Sequence, residues 1–303
     1  MTTKAPSVCG RFAPTPSGPL HLGSLVTAVA SYCDARSQQG EWLLRIEDLD
    51  TPRVVRGSAD DILRTLDAFG FDWDGPVLYQ SQRFDAYEEA LNQLKDDGLI
   101  YSCECTRKLL HASNLDSGPL GLIYPGICRN KKLTNPLLSQ RLNIQDAGSI
   151  EFTDIHYGPY ELDLGKLVGD IILRRIDGVY AYHLAVVLDD GLQQVNQIVR
   201  GADLLEVTAV HLHLNQLLGI QPAQYLHIPL IKTRDGKKLS KQTGALALDI
   251  HQASNLLVKS LRFLGQPVES DLHTWLPRDI LQYAVSHWQR QRIPLNPVID
   301  KAG

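Results

Sequence analysis

The stretch from Val8 to Ile46 constrains this chain more than any other part of it. Val8 to Ala13 reads as a short strand, halted by the breaker-rich run Pro14-Thr15-Pro16-Ser17-Gly18-Pro19. From Leu22 onward the apolar residues Leu22, Leu25, Val26, Val29 and Cys33 fall on one helical face. Gly40 fits a helix stop, and Trp42 to Ile46 reads as the next strand. Strand, helix and strand joined this tightly favour a parallel pair, because a parallel connection must cross back over its sheet. The fold class expected is α/β.

The rest of the chain fits that frame. Ser58 with Asp61 three positions on resembles a capping box, ahead of the apolar stripe Ile62, Leu63, Leu66 and Phe69. A further helix is expected from Arg83 to Asp97, stopped by Gly98. Between 99 and 145 the periodicity breaks down, and three of the five cysteines lie there, as in an insertion packed on a sheet. Strand-like pieces return at Ile150 to Phe152 and Asp170 to Arg174, with Asp177-Gly178 as a hairpin signal. A helix from Asp203 to Leu218 and a strand from Leu226 to Lys232 continue the alternation. Beyond Gln242 the pattern is mostly helical, with apolar positions at Leu256, Leu257, Leu261 and Leu264.

Composition narrows the functional classes. A chain of 303 residues, 44% of them hydrophobic, can bury a real core. A net charge of -4 gives no global field that would draw in nucleic acid, so any RNA must be held by local basic patches. Met1 to Ser7 is short and polar, unlike a signal peptide, and no apolar run approaches the roughly 18 residues of a membrane span. Five cysteines, an odd number, argue against a disulfide framework. A cytoplasmic protein with no membrane partner is expected.

Neither the GxxxxGK[ST] loop nor a GxGxxG turn is present. The first strand-to-helix turn instead reads RFAPTPSGPLHLGS, from Arg11 to Ser24. A helix N-terminus offers unpaired N–H groups and the positive end of the helix dipole, which together suit a phosphate. His21 stands there as a further donor, and Gly18 and Gly23 leave room for a ligand to approach the backbone. Taken alone, His21 reads equally as an ordinary helix-start residue. The second basic element is KTRDGKKLSKQTG, from Lys232 to Gly244, in which Asp235-Gly236 makes a turn before Lys237, Lys238 and Lys241. Positioned lysines would stabilise the charge that grows on a departing pyrophosphate. By itself this run is also a solvated basic hairpin.

Together the two elements resemble the HIGH and KMSKS signatures of class I aminoacyl-tRNA synthetases, here His21-Leu22-Gly23-Ser24 and Lys238-Leu239-Ser240-Lys241-Gln242. RFAPTPSG, RIEDLD, YHLAVVLDD and IVRGADLL stand in the order of the glutamyl branch, over roughly residues 9 to 245. The resemblance implies a Rossmann-like catalytic domain over 1–98 and 146–245, a zinc-bearing insertion of acceptor type over 99–145, and a helical C-terminal region over 246–303 without an anticodon-binding domain. It implies ATP as a substrate with Mg²⁺, bound by His21, Gly23, Lys238, Ser240 and Lys241, with His21, Lys238 and Lys241 catalytic. L-glutamate needs two carboxylates and an ammonium matched by opposite charge. By resemblance Arg11, Phe12, Ala13, Pro14, Thr15 and Ser17 line it, Glu47 faces its amino group, and Tyr182 and Arg200 close the pocket, with Arg200 favoured for the side-chain carboxylate. Without the motif, Glu47 reads as a surface ion pair with Arg45 or Arg53. One departure is Val186, where the full-length enzymes tend to carry asparagine.

Cys103-Glu104-Cys105 with Tyr124-Pro125-Gly126-Ile127-Cys128 offers three thiolates for a tetrahedral zinc and leaves the fourth ligand open. The short glutamyl-queuosine branch carries C-x-C with Y-x₃-C here, which implies a structural zinc on Cys103, Cys105, Tyr124 and Cys128. His111 is the more conventional alternative. Cys9 and Cys33 fit the core pattern.

Only about 60 residues follow Gln242, too few for a large anticodon-binding region. In this the chain resembles the glutamyl-Q tRNA(Asp) synthetases, which attach glutamate to the queuosine base of tRNA(Asp). The resemblance implies the anticodon stem-loop of that tRNA as partner, and a monomer is expected. Rival readings are a compact synthetase charging a tRNA 3′ end, a small-molecule nucleotidyltransferase and a non-catalytic tRNA-binding paralogue.

Overall fold

The opening strand-helix-strand unit forms as β1 (Cys9–Phe12), α1 (Leu22–Arg36) and β2 (Glu41–Ile46), with β1 and β2 parallel and Gly10 beside Trp42. The structure, a computed structural model, describes residues 7–113, 115–231 and 246–295. The helix stop differs from expectation. Gln39, not Gly40, takes the left-handed conformation that turns the chain (φ 57). Gly40 is required by packing instead, since a Cβ there would lie 2.5 Å from the carbonyl oxygen of Val8.

The chain continues through α2 (Ser58–Ala68), β3 (Leu78–Tyr79), α3 (Phe84–Asp96), β4 (Ile100–Cys103), α4 (Arg107–Ala112), β5 (Ser117–Gly118), β6 (Gly121–Leu122) and β7 (Ser139–Leu142). It goes on through β8 (Ser149–Asp154), β9 (Gly158–Asp163), α5 (Leu164–Leu167), β10 (Ile171–Arg174), α6 (Tyr182–Leu192), β11 (Gln197–Gly201), α7 (Val207–Leu218), β12 (Gln224–Ile228), α8 (Ala253–Phe263) and α9 (Pro277–Ser286). The capping box expected at Ser58 does not form. Gly57, in the left-handed conformation, precedes α2 without a side-chain cap, and Ser58 is already helical, so its hydroxyl is free to act elsewhere. The helix expected from Asp203 starts only at Val207, because Ala202–Leu204 tightens into a 3₁₀ turn. The strand expected to reach Lys232 stops at Ile228, where Pro229 lacks the N–H that a ladder needs.

Five parallel strands form one sheet in the order β12-β11-β1-β2-β3. Leu25, Val26 and Val29 of α1 share one core with Ile62 and Leu66 of α2, Leu257 and Leu261 of α8, and Ile280 and Leu281 of α9. A second core joins Tyr87 and Leu91 of α3, Leu184 of α6 and Val210 of α7 to Leu142 and Leu173, in the antiparallel sheet β10-β7-β4. From β1 the chain adds β2 and β3 on one side, then β11 and β12 on the other. This reversal leaves a crevice beyond the carboxyl ends of β1 and β11, the place where such sheets bind ligands. Among the described residues no helix is long and apolar enough to cross a membrane.

Candidate active site

Two cavities open at that crevice, and they share Thr15 and Arg53. The first, of about 470 Å³, is lined by Phe12 at the end of β1 with Pro14, Thr15 and Ser17 beyond it, His21 and Gly23 at the start of α1, Gly201 at the end of β11 with Asp203 beyond it, and Pro229 to Ile231 after β12. His21 caps α1 in an extended conformation, and its Nδ1 accepts the Ser24 N–H at 3.3 Å. An imidazole nitrogen that accepts carries no proton, so the ring N–H sits on Nε2. The space above Gly23 is filled by this ring rather than kept open for a ligand, since a Cβ there would lie 2.9 Å from His21 Cε1. No acidic residue stands in the first turn of α1 to offset its positive end.

The β1–α1 turn is pinned from outside. Gly18, with φ of 116, donates its N–H to Ser58 Oγ at 3.0 Å, and Ser58 Oγ donates back to the Gly18 carbonyl at 2.9 Å. Lys238, Ser240 and Lys241 lie outside the described residues, within 232–245. The described chain on either side of that stretch borders the first cavity: Ile231 lines it, and Ala247 bridges to His21.

The second cavity, of about 510 Å³, is lined by Glu47 and Asp50 after β2, Tyr182 and His183 of α6, and the arginines 53, 107, 141 and 175. Glu47 pairs with Arg45 at 3.6 Å, but not on the surface, for the Arg45 side chain is fully buried and that of Glu47 is 11% exposed. Burial pushes the Glu47 carboxyl up to about 7, against the pull of Arg45 and Arg11. Arg53 pairs instead with Asp50. Beneath this cavity Asp190 gathers Arg11 at 3.0 Å and Arg45 at 2.8 Å. Burial alone would raise the Asp190 carboxyl, but the two guanidiniums hold it below its ordinary value. Its neighbour Asp189, also buried, takes Gln80 at 2.9 Å, Tyr87 at 2.7 Å and Arg83 at 3.1 Å, which fixes α6 against α3.

Arg200, Glu47, Arg11 and Asp190 all act electrostatically on the Tyr182 hydroxyl, which burial holds above the usual phenol value. Arg11 and Arg200 line neither cavity, each being 4% exposed. Ala13 lines neither, and Val186 is buried on α6 one turn beyond Tyr182. Asp190, Arg45 and Ser58 were not foreseen as site residues. Two adjacent aspartates closing an otherwise apolar helix were the available signal for the first, because carboxylates are rarely buried unpaired.

In the insertion the Sγ atoms of Cys103, Cys105 and Cys128 lie within 4.8 Å of one another. The Tyr124 hydroxyl lies 3.3 Å from Cys103 Sγ and 3.5 Å from Cys105 Sγ, whereas His111 is exposed and outside the group. Three sulfurs and one oxygen at this spacing form a donor set that could bind zinc. Arg141 lies 3.8 Å over the Tyr124 ring and also lines the second cavity, so the cluster and the cavity share a wall.

Residues 7–272 match the family model described as tRNA synthetases class I (E and Q), catalytic domain. A glutamyl-Q tRNA(Asp) synthetase of Dechloromonas aromatica is 51% identical, over 96% of this chain and 97% of its own. A protein of the same name from Pseudomonas fluorescens is 48% identical, over 98% and 97%. Among solved structures, a glutamate tRNA ligase from Elizabethkingia meningosepticum superposes with a TM-score of 0.79 at 23% identity, over 96% of this chain and 66% of that one. A glutamate-tRNA synthetase from Elizabethkingia anophelis gives 0.81 at 22%, over 97% and 68%. The chain thus spans about two thirds of these solved ligases, and at such identities they speak for the fold alone.

Proposed function

The chain belongs to the glutamyl-Q tRNA(Asp) synthetase family, ligases of the class I tRNA synthetase type, and from that premise we propose that it activates L-glutamate with ATP and transfers it to the queuosine base of tRNA(Asp). The observation that carries this reading is the meeting of two cavities at Thr15: one borders a helix N-terminus suited to phosphate, the other holds a buried carboxylate suited to an ammonium.

In the first step an oxygen of the glutamate α-carboxylate attacks the α-phosphorus of ATP, the α–β bridging bond breaks, and pyrophosphate leaves. His21 Nε2–H and the amides of α1 meet the phosphate oxygens, and Lys238 and Lys241 are assigned to the departing charge. Mg²⁺ carried in with ATP would supply further positive charge there. Glu47 holds the ammonium, and Arg200 the side-chain carboxylate. In the second step a hydroxyl of the queuosine cyclopentene ring attacks the acyl carbon, giving an ester and AMP. Positioning carries this step, with Arg107 and Arg141 offering local positive charge for the RNA, while Arg53 and Arg175 are paired with Asp50. Zinc on Cys103, Cys105, Cys128 and Tyr124 would tie the insertion together beside that entrance.

Glutamate-dependent ATP–pyrophosphate exchange, with and without tRNA, tests the first step. Labelled glutamate followed by nuclease mapping of the tRNA tests the second. Label in the anticodon loop is expected; label at the 3′ end would establish the compact 3′-end synthetase, and no exchange in either arm would sink the enzyme reading.

A further inference from the structure

Arg200 is held in an unusual way for a buried guanidinium. Its Nε donates to His227 Nε2 at 3.0 Å, and its Nη1 lies 3.2 Å from His211 Nδ1. Nη2 donates to Thr208 Oγ1 at 2.9 Å and to the Leu204 carbonyl at 3.2 Å. Every one of these acceptors is neutral or must be. Guanidinium has no lone pair to offer, so each facing imidazole nitrogen has to be the unprotonated one.

That requirement sets the tautomers outward from Arg200. His227 carries its proton on Nδ1 and gives it to Asp154 Oδ2 at 2.7 Å, where the same carboxylate accepts the amides of His156, Tyr157 and His227. His211 carries its proton on Nε2 and gives it to His183 Nδ1 at 3.3 Å. His183 lines the second cavity, one residue after Tyr182. Burial lowers all three imidazoles, His183 to about 4, which agrees with a neutral chain. Arg11 and Arg45 are each paired with Asp190, but among the described residues no carboxylate forms an ion pair with Arg200. Arg200 also lies over the Tyr225 ring, 5.1 Å from its centre, and burial holds that phenol above its ordinary value.

We propose that His211 and His227 are positioning residues that anchor Arg200 without neutralising it, and that this makes the amino-acid site select a side-chain carboxylate over a carboxamide. A carboxylate in place of either imidazole would hold Arg200 equally well and cancel the charge meant for the substrate. A neutral acceptor keeps that charge available, and a substrate amide cannot satisfy it. The inference rests on Arg200 as the partner of the glutamate side chain.

The test compares His211→Gln, a neutral acceptor, with His211→Glu, an anionic one, in ATP–pyrophosphate exchange with glutamine as competitor. His211→Gln is expected to keep the KM for glutamate within about threefold of the parent. His211→Glu is expected to raise it on the order of a hundredfold, with kcat and the KM for ATP changed far less, and to narrow the preference for glutamate over glutamine. An unchanged glutamate KM in His211→Glu, or an equal rise in both variants, overturns the proposal. Should His211→Glu not fold, the parent protein labelled with ¹⁵N-histidine decides by long-range proton–nitrogen correlation. His227 protonated on Nδ1 and His211 on Nε2 near neutral pH are expected; the opposite tautomer or an imidazolium at either overturns it. Absence of exchange in the parent overturns the functional reading, while the tautomers still decide how Arg200 is held.

Discussion

Asp190 receives the Nε of Arg11 at 3.0 Å, although the two residues are 179 positions apart. The same oxygen takes Arg45 at 2.8 Å, so one carboxylate is shared by two buried guanidiniums, of which Arg45 also faces Glu47. Asp190→Asn keeps the shape and removes the charge. Leaving buried charge uncompensated is expected to cost about 3–5 kcal/mol, and to lower the thermal midpoint on the order of 10 °C. Scanning calorimetry checks this; an unchanged midpoint would show that the arginines do not depend on Asp190.

Glutamate affinity should depend on pH through Glu47. With its carboxyl at about 7, Glu47 is protonated below that pH and has to lose the proton before it can hold an ammonium. The sign follows: binding weakens about tenfold per pH unit as pH falls below 7, levels off above it, and releases a proton near pH 6. Titration calorimetry in two buffers of different ionisation enthalpy measures that release. Glu47→Gln should abolish the pH dependence together with most of the affinity.

Ser58→Ala removes both bonds to Gly18. The expected loss of stability is about 1–3 kcal/mol. Because Gly18 belongs to the turn that borders the first cavity, the KM for ATP should rise more than the KM for glutamate. Equal changes in the two constants would place Ser58 outside the nucleotide site.

Metal analysis of the purified protein is expected to find one zinc per chain, lost in Cys128→Ser. His111→Ala should keep the metal, since His111 is exposed and stands outside the sulfur cluster. The metal-free protein should retain pyrophosphate exchange, because the cluster lies in the insertion and the phosphate cavity at the parallel sheet. Its transfer of glutamate to tRNA should fall, because Arg141 stands between the cluster and the second cavity.

Local signals were legible because they come from short-range physics. The alternation of breakers and apolar stripes around Pro14 to Cys33 marks a strand ending and a helix beginning, whatever the rest of the chain does. The same is true of the turn at Asp177-Gly178, where Gly178 has a φ of 83. Where two residues compete for one local role, short-range physics does not decide between them. Gln39 took the left-handed position because Gly40 was needed against Val8, and Ser58 left its cap for Gly18.

By itself the sequence determined the class of the fold and the strand-to-helix turn at His21, and it singled out Arg11, Glu47, Tyr182, Arg200 and the three sulfurs of the insertion as candidates. Only the tertiary structure decided how those groups are charged and held. Arg11 and Arg45 share Asp190, Arg200 rests on neutral His211 and His227, and Glu47 is buried beside Arg45 instead of solvated. The reason is that burial and pairing set the charge of each group, and the partners are brought together by sheet order from segments far apart in the chain.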